Sequence, residues 1–149
     1  IHMLDMFQIL EAFDKYRGSV EKVGKAIKEH SANTLLDLMR FYEIVIFCYI
    51  TGNNDMHLKN FSLILNGENW EISPAYDLLI GGKKKKLSKS DFINLGLKLG
   101  LNQKQVENTF KRFLKSEKKM LSLIPQSYLS KEHQEKYIKL LQNRLLIFQ

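Results

Sequence analysis

The sequence predicts a mainly α fold with one small β-hairpin set into it. Three observations predict this. Apolar residues recur at three- and four-residue spacing through most of the chain. Only the stretch Phe61 to Ser73 breaks that period, and it turns through Asn66-Gly67-Glu68-Asn69, whose Asn-Gly pair suits a tight connection between strands. Two prolines and eight glycines leave no room for a long linker, so residues 1–149 are expected to form a single domain.

Taken in order, residues 4 to 12 are expected to form a short helix ending near Phe13-Asp14. Ser19 caps an amphipathic helix through about Glu29, with Val20, Val23 and Ile27 as its apolar stripe. Asn33 or Thr34 opens the strongest helix. It is apolar on nearly every side from Leu35 to Cys48, with Asp37, Arg40 and Glu43 as polar interruptions, so it is expected at the centre. Thr51-Gly52-Asn53-Asn54 stops it. Phe61–Leu65 and Trp70–Ser73 read as the hairpin strands, the second ended by Pro74, and Trp70 is expected to anchor the hairpin to the helices. The helical period returns at Ser90 to Leu99, at an Asn102-capped helix that Pro125 breaks, and at a last helix from Ser130 to Phe148.

Hydrophobic residues make up 44% and charged residues 26%, the balance of an ordinary globular protein. The charge is +7, with much of the excess in Lys83 to Lys86 and in the helices after residue 100. That favours contact with phosphorylated ligands, nucleic acid or acidic partners. No zinc finger or RNA-recognition signature makes it sharper. The single cysteine, Cys48, excludes an intramolecular disulfide and reads as a buried small hydrophobe in a reducing compartment. No apolar stretch approaches the ~18 residues of a membrane span, and no secretory leader opens the chain. A cytoplasmic protein without membrane contact is expected.

The chemistry is concentrated in Gly52-Asn53-Asn54-Asp55-Met56-His57-Leu58-Lys59-Asn60 and in Ser73-Pro74-Ala75-Tyr76-Asp77. Asn60 follows Asp55 by five residues and Asp77 follows it by 22, beyond the hairpin. Hard oxygen donors on two loops suit Mg²⁺, which takes one or two carboxylates plus substrate phosphates. Protein kinases space a catalytic-loop Asp, a metal-binding Asn and a second metal-binding Asp in this way. On the residues alone, His57 and Lys59 read equally well as ordinary loop polars, and Tyr76 as packing beneath the metal loop.

Gly-Asn-x-Asp-x-His-x-Lys-Asn-Phe-Ser followed by Ser-Pro-x-Tyr-Asp-Leu resembles the signature of the HipA family, the toxin kinases of bacterial toxin–antitoxin pairs. The resemblance extends to Asp5-x-x-Gln8, Lys15-Tyr16, Gly82-Lys83-Lys84 and Ser90-Asp91-Phe92. It implies the helical C-lobe of a protein-kinase-like fold, with Mg²⁺ and ATP as cofactors. Asp55 would be the general base toward a protein Ser/Thr hydroxyl. Asn60 and Asp77 would hold Mg²⁺ against the ATP phosphates, with His57 and Lys59 lining the phosphate site and Lys59 supplying positive charge to the transferring group. The implied partners are a HipB-like DNA-binding antitoxin, with DNA reached only through it, and a protein substrate, for which the family precedent is an aminoacyl-tRNA synthetase.

The sequence departs from the family at Leu4, where Glu is common. The run from Leu79 to Gly82 is also short, so Ile80-Gly81 is either a true neighbourhood or a junction of missing residues. The resemblance places the ATP-clamping N-lobe outside these residues, on an excised segment or another chain, so the isolated lobe is expected to transfer phosphate slowly or not at all. A non-catalytic docking module for the antitoxin or a partner subunit is the alternative. A metal nuclease built on Asp55, His57 and Asp77 lacks the second His or acidic cluster that two-metal hydrolysis uses.

Overall fold

Helix α3 (Thr34–Thr51) is the element on which the others are packed, and Phe41, Tyr42, Val45, Ile46 and Ile50 are its buried residues. The structure, a computed structural model, describes residues 2–53, 55–77 and 87–149. Helix α2 (Val20–His30) lays Val23, Ala26 and Ile27 into the core beside α3. Helix α6 (Lys131–Leu145) also packs on α3, burying Leu141 and Leu145. Helices α4 (Lys89–Lys98) and α5 (Gln103–Leu123) pack on each other, and Tyr42 Oη on α3 donates to the Phe92 carbonyl of α4 at 2.8 Å.

Four aromatic rings join these helices. Centroids are 4.9 Å apart for Tyr49–Phe92, 5.2 Å for Phe92–Phe148 and 4.8 Å for Phe110–Phe148. Such pairs each add about 0.5–1.5 kcal/mol beyond their burial. Ser19, Asn102 and Ser130 each accept a backbone N–H from the first turn they open, as the sequence predicts, while the helix expected from Ser90 starts at Lys89 and is capped by Ser88.

The first residues differ from expectation. Met3–Asp5 form strand β1 and only Met6–Ile9 are helical, as α1. Strand β1 pairs antiparallel with β2 (Ser62–Asn66), Leu4 facing Leu63, and β2 pairs with β3 (Asn69–Ile72). The hairpin is therefore two-thirds of a three-stranded sheet in the order β1-β2-β3. Three residues cannot display an alternating pattern, and the partner that makes them a strand lies far along the chain. Asp5 then caps α1: its Oδ1 accepts from Gln8 N at 2.8 Å, and Gln8 Oε1 accepts from Asp5 N at 3.1 Å. The helix stops after one turn, where Ala12 N bonds to Phe7 O and Glu11 takes φ 47°. The hairpin turns through Asn66-Gly67-Glu68-Asn69 as expected: Asn66 pairs with Asn69, Gly67-Glu68 form the turn centre, and Gly67 takes φ 63°. Trp70 anchors the sheet as expected: its side chain packs against the core, and its carbonyl accepts from Ala32 N at 2.9 Å, between α2 and α3.

The polar interruption Asp37 is fully buried. Its Oδ2 accepts from Ser31 Oγ at 2.6 Å and from the Ile72 N–H of β3 at 3.0 Å, while its Oδ1 lies 3.4 Å from Arg40. Arg40 reaches on to Glu71 at 3.8 Å. Cys48 is buried as expected, and burial pushes its thiol up to about 11.

Removing Asp37 strands two interior donors. Asp37→Ala is expected to lower stability by about 3 kcal/mol, against less than about 1 kcal/mol for Arg40→Ala, measured by urea unfolding followed by circular dichroism. A thiol held at about 11 is protonated at pH 8. Iodoacetamide should therefore label Cys48 only as the chain unfolds, and labelling of the native protein at the rate of a free thiol would contradict this burial.

Candidate functional site

The site begins where α3 stops. Gly52 takes φ 79°, and a side chain there would meet Leu140 at 3.2 Å. Gly52 N bonds to Tyr49 O at 3.2 Å and Asn53 N to Cys48 O at 2.8 Å, the paired bonds of a Schellman ending. Asn53 is buried, and its Oδ1 accepts from Asp55 N at 3.0 Å, which holds the backbone at Asp55. Two residues on, His57 N donates to Asn60 Oδ1 at 2.9 Å across a 3₁₀ turn, Leu58–Asn60. Leu58 N bonds to Lys15 O at 3.1 Å, and the buried Leu58 side chain fills the space a side chain at Gly18 would need.

Asn60 closes the site. Its Nδ2 donates to Asp77 Oδ2 at 3.1 Å, and Asp77 O lies 3.4 Å away. Asp77 itself is exposed and sits at φ 51°, the left-handed region that aspartate tolerates better than most residues. Tyr76 packs beneath the loop, its Oη donating to Lys59 O at 2.7 Å and hydrogen-bonded to Ser62 Oγ. Burial raises the pKa of its phenol.

The three residues singled out by spacing, Asp55, Asn60 and Asp77, and the two added by resemblance, His57 and Lys59, are thus not equally joined. Asn60 and Asp77 touch, and the His57 backbone bonds to Asn60. The Asp55 carboxylate accepts no hydrogen bond among the described residues. The His57 ring is 8% exposed, with Nε2 at 3.3 Å from Lys15 Nζ and an edge contact to Tyr16 at 5.4 Å between centroids. The Lys59 ammonium lies 4.9 Å over the Phe7 ring. Beside the loop opens a cleft of about 760 Å³ lined in part by Asn53, Met56, Tyr49, Asp91 and Arg144. The connection at Ile80-Gly81 lies outside the described residues.

The donor chemistry fits a hard cation. Asp77 offers a carboxylate oxygen, and the second ligand would be the Asn60 amide oxygen, which here accepts from His57 N while Nδ2 faces Asp77. No cluster of three or more His, Cys, Asp and Glu side chains forms among the described residues. A cation here would complete its shell with water and ligand oxygens, the habit of Mg²⁺. Sequence reasoning missed Asn53, whose place two residues before Asp55 is the signal of an Asx turn. It also left Lys15 without a role, because only the fold brings it to His57.

A family model described as the HipA-like C-terminal domain matches residues 1–143. A Haemophilus influenzae protein named "Putative kinase" is 21% identical over 180 residues, covering 99% of this chain and 52% of the relative. A Sinorhizobium fredii protein, "Putative kinase Y4dM", is 29% identical over 151 residues, covering 83% of this chain and 36% of the relative. The chain therefore spans about half or less of the curated relatives it matches. Among solved structures, the Shewanella oneidensis HipA in complex with HipB and operator DNA superposes with a TM-score of 0.77 at 15% identity, over 99% of this chain and 42% of that one. The likeness shows the fold, that of a kinase-like C-lobe.

The backbone at Asp77 makes a testable demand. Asp77→Asn should leave the melting temperature nearly unchanged, since asparagine also tolerates positive φ. Asp77→Val should cost about 1–2 kcal/mol, measured by thermal unfolding.

Proposed function

The chain belongs to the HipA-like C-terminal domain family, and from that premise we propose that it is the catalytic lobe of a toxin–antitoxin serine/threonine protein kinase. The observation that carries this is the Asn60–Asp77 contact, which joins the loop after α3 to the residue five positions beyond β3. A docking surface requires neither residue. Phosphoryl transfer to an acceptor hydroxyl uses both.

In this reading Asn60 and Asp77 hold Mg²⁺ with the ATP phosphates. The bound ion would supply charge neutralisation along the β- and γ-phosphate oxygens. Asp55 accepts the proton of a serine or threonine hydroxyl as its oxygen forms the new bond to the γ-phosphorus and the bond to the β-phosphate oxygen breaks, releasing ADP. Asn53 serves Asp55 by holding its backbone, and Gly52 serves both by ending α3 where it does. Lys59 leaves the Phe7 face to put its ammonium beside the transferring oxygens. The acceptor segment lies in the cleft beside Met56 and Asn53.

The whole kinase also needs a loop over the phosphates and a lysine that grips them, which the family carries before this lobe. Millimolar affinity for ATP is the expectation for this chain by itself. A second reading, a docking module for a HipB-like antitoxin, is favoured by the Shewanella complex, whose HipA is bound to HipB and operator DNA.

Calorimetry with ATP and Mg²⁺ tests the first reading. Weak heat that requires Mg²⁺ and is lost in Asp77→Asn is expected, and binding indifferent to that change would remove Asp77 from the site. In the chain joined to its N-terminal partner region, Asp55→Ala is expected to lower phosphotransfer by about 10²–10⁴-fold while ATP still binds. Antitoxin binding unchanged by Asp77→Asn is expected under either reading, so phosphotransfer decides between them.

A further inference from the structure

Lys15 lies in the segment between α1 and α2 and has no part in the roles above. Its side chain is half-buried, with Nζ at 3.3 Å from His57 Nε2 and 4.8 Å from the centroid of the Tyr16 ring. Among the described residues it forms no ion pair with any carboxylate. A lysine drawn partly out of water commonly gains a carboxylate in exchange. Here the ammonium rests on an imidazole nitrogen and a π face, which soften the loss of water without neutralising the charge. Its main chain is fixed against the loop, since Lys15 O accepts from Leu58 N at 3.1 Å.

The second observation is independent of the first. His57 is 8% exposed, and its Nδ1 has no hydrogen-bond partner among the described residues. Buried polar nitrogens are seldom left so. An ammonium has no lone pair, so in the contact with Lys15 the Nε2 atom is the acceptor. The proton of the neutral ring then sits on Nδ1, making it a donor. Lys15 presents its cationic N–H groups, and His57 keeps a further N–H enclosed behind them, beside a loop whose next links are His57 N to Asn60 and Asn60 to Asp77.

Donors in excess of acceptors, with one positive charge that no carboxylate pairs with among the described residues, suit an oxyanion. We infer that Lys15 is a phosphate-binding residue, a second cation in addition to Lys59, held ready by His57 and Tyr16. The ligand class is a phosphate oxyanion. That it belongs to a nucleotide rests on the kinase reading; the anion contact does not. The competing interpretation makes Lys15 a brace for the His57 ring and nothing more.

The test is a titration of the chain with inorganic pyrophosphate without Mg²⁺, followed by the ring nitrogen and carbon-bound proton signals of His57 in NMR. The unmodified protein is expected to show saturable shifts at His57. Lys15→Met and Lys15→Gln should weaken the binding about tenfold or more, and Lys15→Arg should stay within about threefold. Asp77→Asn removes a negative charge, so it should keep pyrophosphate binding even as it loses Mg²⁺-dependent ATP binding. His57 signals unmoved by pyrophosphate, or equal affinity in a folded Lys15→Met or Lys15→Gln variant, would overturn the proposal. ATP binding indifferent to Asp77→Asn would instead count against the kinase reading, so the two failures are told apart.

Discussion

A carboxylate sealed inside the protein holds the two approaches to the site together. Asp37 stands in the first turn of α3, the helix that ends at the Asp55 loop, and accepts the N–H of Ile72, the last residue of the strand that leads to Asp77. An interior charge is tolerated only where donors surround it, and those donors come from three places: Ser31 before the helix, Arg40 on it, and β3 across from it. The charge therefore fixes a relation between elements rather than adding a contact to one of them. Shifting β3 by one residue would turn its side chains over and withdraw the N–H that Asp37 needs.

From that anchor the site is assembled by short-range devices. The Schellman ending of α3, the Asn53 side chain under Asp55, and the 3₁₀ turn that Asn60 closes follow one another within nine residues, Gly52 to Asn60. None of them is an α-helix or a strand, and each satisfies backbone groups that a loop would otherwise leave to water. The long-range closure is left to two links: Asn60 to Asp77, and Tyr76 to the Lys59 carbonyl. Loop order of this kind depends on side-chain identity at Asn53 and Asn60 more than on burial of apolar area.

This division explains what could be read from the chain and what could not. Helices α2 to α6 were legible because apolar period and capping residues are local, and Ser19, Asn102 and Ser130 act where they stand. The spacing of Asp55, Asn60 and Asp77 picked out two loops that meet at Asn60 and Asp77, since a hairpin brings its two ends together whatever its contents. Strand β1 was not legible, because Leu4 is a strand residue only by virtue of Leu63. Nor was the burial of Asp37, a charged letter in an apolar run that reads like any exposed interruption until Ile72 arrives. Lys15 shares that fate: its neighbour His57 is 42 residues away.

The sheet carries a consequence for how relatives should be sought and altered. Asn60 and Asp77 lie beyond the same end of an antiparallel ladder, whose other end is the Gly67-Glu68 tip. Nothing lies within 4 Å of where a side chain on Gly67 would sit. Residues can therefore be added at that tip, in matched pairs, without moving the base on which the two groups meet. The number of letters between the motifs is then free to drift through evolution while the site stays put. A search by fixed spacing would pass over such kin, and a protein engineer could graft a reporter onto the tip.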